Sequence, residues 1–230
     1  WDDDIGSTSN DGSTGWISTV PTTVTWTGIE VGIWREEFSL RNLREWPNCE
    51  LYILVDLWAH QSNYVDRNNH TDTTFEEVYD GAQRRLRPFQ HKTKFLRMYS
   101  TEAAKYHIDN SSMDFVYLDA RHDSCGVLED IQQYWPMVRP SGIMAWHDYV
   151  TNTRIQGDRL FQLLGMNREA QDWGLCEDGT RNDGAVEGAV QDFLRPLGIP
   201  VQATTETSLW KTWMVQKPLC WKKMERRPIK

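Results

Sequence analysis

The 230-residue chain lacks the features that mark several classes of protein. It has no apolar run long enough to cross a bilayer, so we expect no membrane span. Acidic side chains number 33 against 25 basic ones, which gives a net charge of −8. A surface that follows the phosphates of a nucleic acid is therefore not expected. The one sizeable basic cluster lies in the last residues: Lys222, Lys223, Arg226, Arg227 and Lys230.

Closely spaced cysteines are also lacking. No C-x-x-C pair occurs, which argues against a zinc knuckle and a dense disulfide framework, and we predict free thiols. The two N-x-[ST] sequons, at Asn69 and Asn110, are about what ten asparagines give by chance. The chain does not begin with Met, so the sequence leaves undecided whether a leader or anchor has been removed. It also does not decide between the cytoplasm and the lumen of the secretory pathway. The cysteines are Cys49, Cys125, Cys176 and Cys220.

What is present is an alternation of strand and helix patterns. Residues 51–56 form a short apolar run typical of a buried parallel strand. Residues 124–134 carry apolar side chains at helical spacing, and the chain closes with two strands at 200–205 and 212–216. We therefore predict an α/β fold in three layers, a sheet between two layers of helices. Residues 1–28, rich in Asp, Ser, Thr and Gly, are predicted to be a flexible or loosely packed arm.

A strand, helix, strand unit between residues 113 and 149 places four polar side chains at strand ends. Asp119 and His122 follow the first strand, and His147 and Asp148 follow the second. A right-handed crossover makes the strands parallel, so these side chains should meet at one edge of the sheet. A single Asp or His at a strand end is usually structural, but four together indicate a catalytic or metal site.

The first two strands carry a weaker signal for a bound nucleotide. Gly32 would let the backbone approach a ligand closely, and the helix after it has unpaired N–H groups. Asp56, at the end of the second strand, is placed to accept hydrogen bonds from a ribose diol, unless it merely caps the next turn. The dinucleotide fingerprint G-x-G-x-x-G is absent, which argues against a nicotinamide-dependent oxidoreductase.

Four motifs in this order resemble class I S-adenosylmethionine-dependent methyltransferases. They are the E-x-G turn at 30–36, V-D-x-W at 55–58, D-x-x-H at 119–122 and H-D-Y at 147–149. The resemblance implies a Rossmann-like, mostly parallel seven-stranded sheet over residues 29–218, followed by a basic tail, 219–230. It also implies that Glu30, Gly32, Asp56 and Ser100 line the S-adenosylmethionine pocket. In place of the family's second glycine stands Glu36, a negative side chain beside the methionine end of the cofactor.

The strand-end cluster then predicts a metal-assisted reaction. Asp119, His147 and Asp148 offer two hard oxygens and an imidazole to Mg²⁺, Mn²⁺ or another transition metal, which leaves His122 as the general base. The D-x-x-H form resembles the glycoside O-methyltransferases. We therefore expect methylation of a hydroxyl on a small molecule or glycan. The alternative is a methyltransferase-like binding or scaffold subunit whose cofactor site Glu36 has weakened.

Acceptor selectivity is expected in loops at the carboxyl edge of the sheet. The segments concerned are the arm 1–28, residues 60–72 and the variable stretch 150–183. The sequence does not indicate the acceptor or the oligomeric state.

Overall fold

The computed structural model describes residues 25–34, 36–62, 64–165, 167–205 and 209–220. The predicted arm and basic tail lie largely outside these ranges. The strands are β1 Trp26–Val31, β2 Cys49–Asp56, β3 Thr93–Arg97, β4 Met113–Leu118, β5 Val138–Trp146, β6 Gln202–Ala203 and β7 Trp213–Gln216. The helices are α1 Glu37–Glu45, α2 Asp72–Leu86, α3 Ser100–His107, α4 Ser124–Tyr134, α5 Asn152–Gly157, α6 Arg159–Leu163 and α7 Ala185–Leu194, with 3₁₀ turns at Arg87–Phe89 and Arg195–Leu197.

The seven strands form one sheet in the order β3-β2-β1-β4-β5-β7-β6. Strands β1 to β5 are parallel, whereas β7 runs antiparallel to β5 and β6 antiparallel to β7. This confirms the predicted mostly parallel seven-stranded sheet with flanking helices. In the described part of the chain, no helix is long and apolar enough to cross a membrane.

Strand register explains why distant motifs meet at one edge. Val31 pairs with Val55 on β2 and with Leu118 on β4, and Leu118 pairs with Trp146 on β5. These four residues therefore form one row across the sheet. The residue after each of them is, in turn, Gly32, Asp56, Asp119 and His147. Four of the predicted site residues thus follow the same row of the sheet.

Burial of apolar faces holds the layers together. In α4 the side chains of Val127, Ile131 and Tyr134 are fully buried against the sheet, as the helical spacing predicts. Each such side chain contributes about 1.5 to 3 kcal/mol when it leaves water. Asp123 caps the helix by accepting a hydrogen bond from the Gly126 backbone N–H at 3.0 Å. A wide apolar face and a cap explain why both ends of this helix agree with the prediction.

Two local features differ from what the sequence pattern indicates. A serine at the start of a helical run is a common N-cap, which predicts that Ser100 caps α3. The N-cap is Tyr99, and the Ser100 hydroxyl instead donates to Asp130 at 2.6 Å. The stretch 150–183 showed weak periodicity yet contains α5 and α6. Helices of six and five residues are too short to produce a recognisable apolar repeat.

The prediction of four free thiols is wrong for two of them. Cys125 and Cys176 form a disulfide across 51 residues of sequence, with their Cα atoms 5.7 Å apart. Cys49 and Cys220 are free. Spacing could not reveal this pair, because the start of α4 and the loop containing Cys176 meet only through the fold. The disulfide ties the variable stretch to the segment that carries the D-x-x-H motif.

Candidate active site

A cavity of about 1090 Å³ opens at the carboxyl edge of the sheet. It is lined by seven of the eight predicted site residues: Gly32, Asp56, Ser100, Asp119, His122, His147 and Asp148. The eighth, Glu30, lines a smaller adjoining hollow of about 280 Å³ together with Gly32 and Glu36.

Two carboxylates face one imidazole nitrogen on the cavity wall. His122 Nε2 lies 3.4 Å from Asp119 Oδ1 and 3.2 Å from Asp148 Oδ2. One ligand atom from each of these three residues falls within 4.8 Å of the others, close enough to share one metal ion. His147 approaches the group through Asp148, with its Nδ1 2.7 Å from Asp148 Oδ1. The structure thus brings all four predicted residues together, with His122 rather than His147 between the two carboxylates.

Unusual backbone geometry positions both carboxylates. Asp148 has φ +57°, a conformation that non-glycine residues seldom adopt and that is often found at functional sites. Gly32 has φ +88°, and a Cβ there would lie 2.1 Å from the carbonyl oxygen of Asp119. Gly32 is therefore required for the close packing of the β1 and β4 ends.

The other side of His122 is enclosed by three residues that the sequence did not single out, which we call the histidine cradle: Tyr64, Asp66 and Trp173. The hydroxyl of Tyr64 lies 3.0 Å from His122 Nδ1, and the indole of Trp173 stacks on the imidazole at 4.3 Å. Trp173 Nε1 donates to Asp66 Oδ2 at 2.5 Å. Twelve tryptophans are many for 230 residues and favour some aromatic stacking, but nothing in the sequence marked which indole would stack.

Contacts within this cluster favour a charged imidazole. Burial alone would lower the pKa of His122, but Tyr64 and three carboxylates outweigh it and raise that pKa well above the usual imidazole value. Burial would likewise raise the pKa of Asp148, yet hydrogen bonds from the two histidines hold it well below its ordinary value. These contacts favour the protonated form of His122, and a protonated imidazole cannot act as a base.

On the β2 and β3 side, two carboxyl groups line the cavity. Asp56 accepts hydrogen bonds from the backbone N–H groups of Ile33 at 2.6 Å and Trp58 at 2.7 Å, so it does cap the following turn. Each oxygen retains a lone pair that a further donor could use. Burial raises the pKa of Asp56 to about 6, and that of Asp130, bound by Ser100, to about 7. Asp130 was missed, although an Asp beside the apolar positions of α4 was a visible signal.

The two acidic residues of the E-x-G motif at 30–36, Glu30 and Glu36, both contact polar or charged side chains. Glu30 Oε2 accepts hydrogen bonds from Ser39 at 2.6 Å and Tyr52 at 2.9 Å, and burial raises its pKa to about 8. Glu36 is buried and lies 2.9 Å from Arg85 on α2. Its φ of +29° is a conformation that glycine adopts more readily. The negative charge expected beside the cofactor is therefore paired with a cation.

The side of the cavity away from the ends of β1 and β2 carries several apolar and aromatic side chains. Phe161 and Trp173 come from the predicted variable stretch, and Trp210 comes from a loop that was not predicted to contribute. The rings of Trp173 and Trp210 lie 5.5 Å apart. Trp146 and Tyr149, the residues that flank His147 and Asp148 in sequence, pack with the core.

Comparison with known proteins agrees with this fold. A model of a methyltransferase domain family matches residues 29–149, more than half of the chain. No curated protein sequence matches. Among solved structures, an O-methyltransferase family protein from Burkholderia thailandensis has a TM-score of 0.57 and 15% identity over 85% of this chain and 52% of its own. Human N-acetylserotonin methyltransferase, solved with S-adenosylmethionine, gives 0.51 and 13% over 84% and 47%.

A putative O-methyltransferase from Nostoc punctiforme gives a TM-score of 0.53 at 11% identity, over 84% of this chain and 52% of its own. At such identities the structural likeness is one of fold, and the chain spans about half the length of these three proteins. The family match runs from within β1 through β5 and ends at Tyr149, so it includes the carboxyl ends of the strands that line the cavity. The chain belongs to this methyltransferase domain family.

Proposed function

We propose that the protein transfers a methyl group from S-adenosylmethionine to a hydroxyl of a small molecule or glycan, assisted by a divalent cation. The observation that carries this proposal is the pair of carboxylates, Asp119 and Asp148, facing His122 Nε2 in the cavity. The family match supports methyl transfer. The names of two similar structures support an oxygen acceptor, and a third was solved with S-adenosylmethionine.

The proposed cofactor site lies at the ends of β1, β2 and β3. S-adenosylmethionine supplies the electrophilic methyl group. Asp56 is held rigidly by two backbone N–H groups, so its remaining lone pairs can accept hydrogen bonds from ribose hydroxyls. Gly32 keeps the wall free of a side chain, and Ser100 lines the same cavity. Glu30 has a supporting role in this arrangement, since Ser39 and Tyr52 already occupy its inner oxygen.

The carboxylates of Asp119 and Asp148 fit a divalent cation, and together with the His122 imidazole they lie within 4.8 Å of one another. A bound cation lowers the pKa of a coordinated hydroxyl, which makes it a better nucleophile. Asp119 and Asp148 are the proposed oxygen ligands, with His147 as the nitrogen ligand predicted from sequence. His122 Nε2 is the nitrogen that competes for this role, because it lies 3.4 Å from Asp119 Oδ1 and 3.2 Å from Asp148 Oδ2.

His122 is the proposed general base, oriented by the histidine cradle. Tyr64 and Asp66 face Nδ1, which leaves Nε2 directed toward the carboxylates and the cavity. His122 releases its proton readily only when the charges of Asp119 and Asp148 are compensated, because these charges help to raise its pKa. The base and metal assignments therefore depend on each other.

The test is calorimetric titration with S-adenosylhomocysteine, then Mn²⁺ and Mg²⁺, followed by transfer of labelled methyl to hydroxylated acceptors with and without chelator. Binding of the cofactor product with chelator-sensitive transfer supports the proposal. The scaffold alternative predicts no heat of cofactor binding. The Glu36 to Arg85 ion pair weakens that alternative, since the charge thought to repel the cofactor has a partner.

Comparing His147→Ala with His122→Ala separates the two histidines. The variant that loses metal affinity identifies the nitrogen ligand. If both retain full metal affinity, the cation rests on the carboxylates alone.

A further inference from the structure

The two N-x-[ST] sequons occupy contrasting environments. Asn110, followed by Ser111 and Ser112, is exposed in the turn between α3 and β4. In the described part of the chain, the Asn110 side chain takes part in no hydrogen bond. Ser111 has φ +55°, and the Ser112 hydroxyl donates to the Asp109 carbonyl at 2.6 Å, so the turn presents the asparagine outward.

Both polar atoms of the Asn69 side-chain amide form hydrogen bonds within the protein. Its Nδ2 donates to the carbonyls of Gln61 at 2.7 Å and Tyr64 at 2.9 Å, while its Oδ1 accepts from the Gln61 N–H at 3.0 Å. Asn69 also lines the cavity, where a glycan would occupy the space for the acceptor. A glycan on Asn69 Nδ2 would disrupt these hydrogen bonds, which hold the loop that carries Tyr64 of the histidine cradle.

The disulfide gives independent information about the compartment. Disulfides persist in oxidising compartments and are rare in the cytosol, where thiols are kept reduced. The Cys125 to Cys176 bond joins two segments that both line the cavity, so oxidation is part of this fold. The oxidising lumen of the secretory pathway is also where asparagine sequons receive their glycans.

We infer that the protein folds in the secretory pathway and that Asn110, but not Asn69, carries an N-linked glycan. The modification site lies at the start of β4, and the candidate active site lies at its end. Six residues of strand at about 3.3 Å each put roughly 20 Å between them. A glycan at Asn110 therefore leaves the cavity open, and the inference does not depend on the proposed function.

The first experiment is expression of the full chain behind a secretion leader in eukaryotic cells. Intact mass before and after peptide N-glycosidase F, with peptide mapping in ¹⁸O water, locates any glycan. We expect one glycan at Asn110, its complete loss in Asn110→Gln and in Ser112→Ala, and no change in Asn69→Gln. A secreted protein unmodified at Asn110, or modified at Asn69, would overturn the inference.

The second experiment is the same mapping on endogenous protein captured by antibody. Occupied Asn110 together with a Cys125 to Cys176 peptide in a non-reducing digest supports the inference. An endogenous protein with unmodified Asn110, or with both cysteines as thiols, contradicts it.

Discussion

The two halves of the cavity, called here the cofactor half and the acceptor half after their proposed roles, are held in place by different kinds of contact. The cofactor half rests on strand ends, where Gly32 and Asp56 are fixed by hydrogen bonds to neighbouring backbone. The acceptor half rests on side chains far apart in sequence, such as Trp173 bonded to Asp66 across 107 residues and the Cys125 to Cys176 disulfide. The first half is a property of the sheet, whereas the second depends on a few tertiary contacts that single substitutions can remove.

The largest effect is expected from Asp119 and Asp148, which lie between the two halves of the cavity. We expect Asp119→Ala and Asp148→Ala each to abolish metal-dependent turnover, because each removes an oxygen ligand. Metal affinity should fall by about 10 to 100-fold or more, the range found even for weaker outer contacts. Asp192→Ala, an exposed change on α7, is the matched control. Calorimetry should show unchanged binding of S-adenosylhomocysteine, and turnover unaffected by chelator in the wild type would refute the metal assignment.

His122→Ala should slow turnover by about 10² to 10⁴, the usual contribution of a positioned base. Cofactor binding should stay intact, because His122 belongs to neither strand end on that side. His122→Gln keeps a polar side chain but cannot take the proton, so it should be equally slow. Single-turnover rates with saturating cofactor and metal provide the measurement. A rate within threefold of the wild type in either variant would make His122 structural.

Breaking the disulfide should weaken the acceptor half selectively. We expect Cys125→Ser to lower the free energy of unfolding by about 2 to 4 kcal/mol, and to reduce turnover more than cofactor affinity. Chemical denaturation with and without reductant measures the effect. Cys220→Ser, at an exposed free thiol, is the control. If reductant destabilises the Cys125→Ser variant as much as the wild type, the stabilisation comes from elsewhere.

The complementary change in the cofactor half is Asp56→Ala. Loss of a charged acceptor should weaken S-adenosylhomocysteine binding by about 1.5 to 3 kcal/mol. Because Ile33 and Trp58 lose their acceptor too, Asp56→Asn is needed as a variant that keeps part of the turn. Metal affinity should be unchanged in both. Equal cofactor affinity in all three proteins would mean that Asp56 only caps the turn.

Asp130 is expected to change the pH dependence of stability and to leave metal and cofactor binding at a fixed pH least affected. Burial raises the pKa of the folded carboxyl to about 7, above the value of about 4 expected in the unfolded chain. Its contribution to stability is therefore complete below about pH 4 and is lost as the pH rises to 7, by at most about 1.4 kcal/mol per pH unit. Asp130→Asn should lose less stability over that window, in urea titrations at several pH values. Asp192→Asn should follow the wild type, and an unchanged slope in Asp130→Asn would show that Asp130 is ionised in the fold.

Sequence patterns were sufficient to predict elements with a clear apolar period and residues that directly follow a strand. Short apolar runs and a wide helix face predicted the order of elements and the bounds of α4 closely. Parallel strands connected by right-handed crossovers then brought Asp119, His122, His147 and Asp148 to one cavity. The roles given to these residues remain predictions. The short helices α5 and α6 of the variable stretch were not predicted, because two helical turns or fewer show no measurable apolar period.

The sequence by itself determined the sheet, its carboxyl edge and the convergence of the strand-end residues, because backbone hydrogen bonding and apolar periodicity are local rules that repeat. Only the tertiary structure decided that Cys125 bonds Cys176, that Tyr64, Asp66 and Trp173 enclose His122, and that Arg85 pairs with Glu36. These contacts join loops and helices that are far apart in sequence, and no repeating sequence pattern indicates which of them meet. Their energies depend on distance and burial, which exist only once the layers have packed.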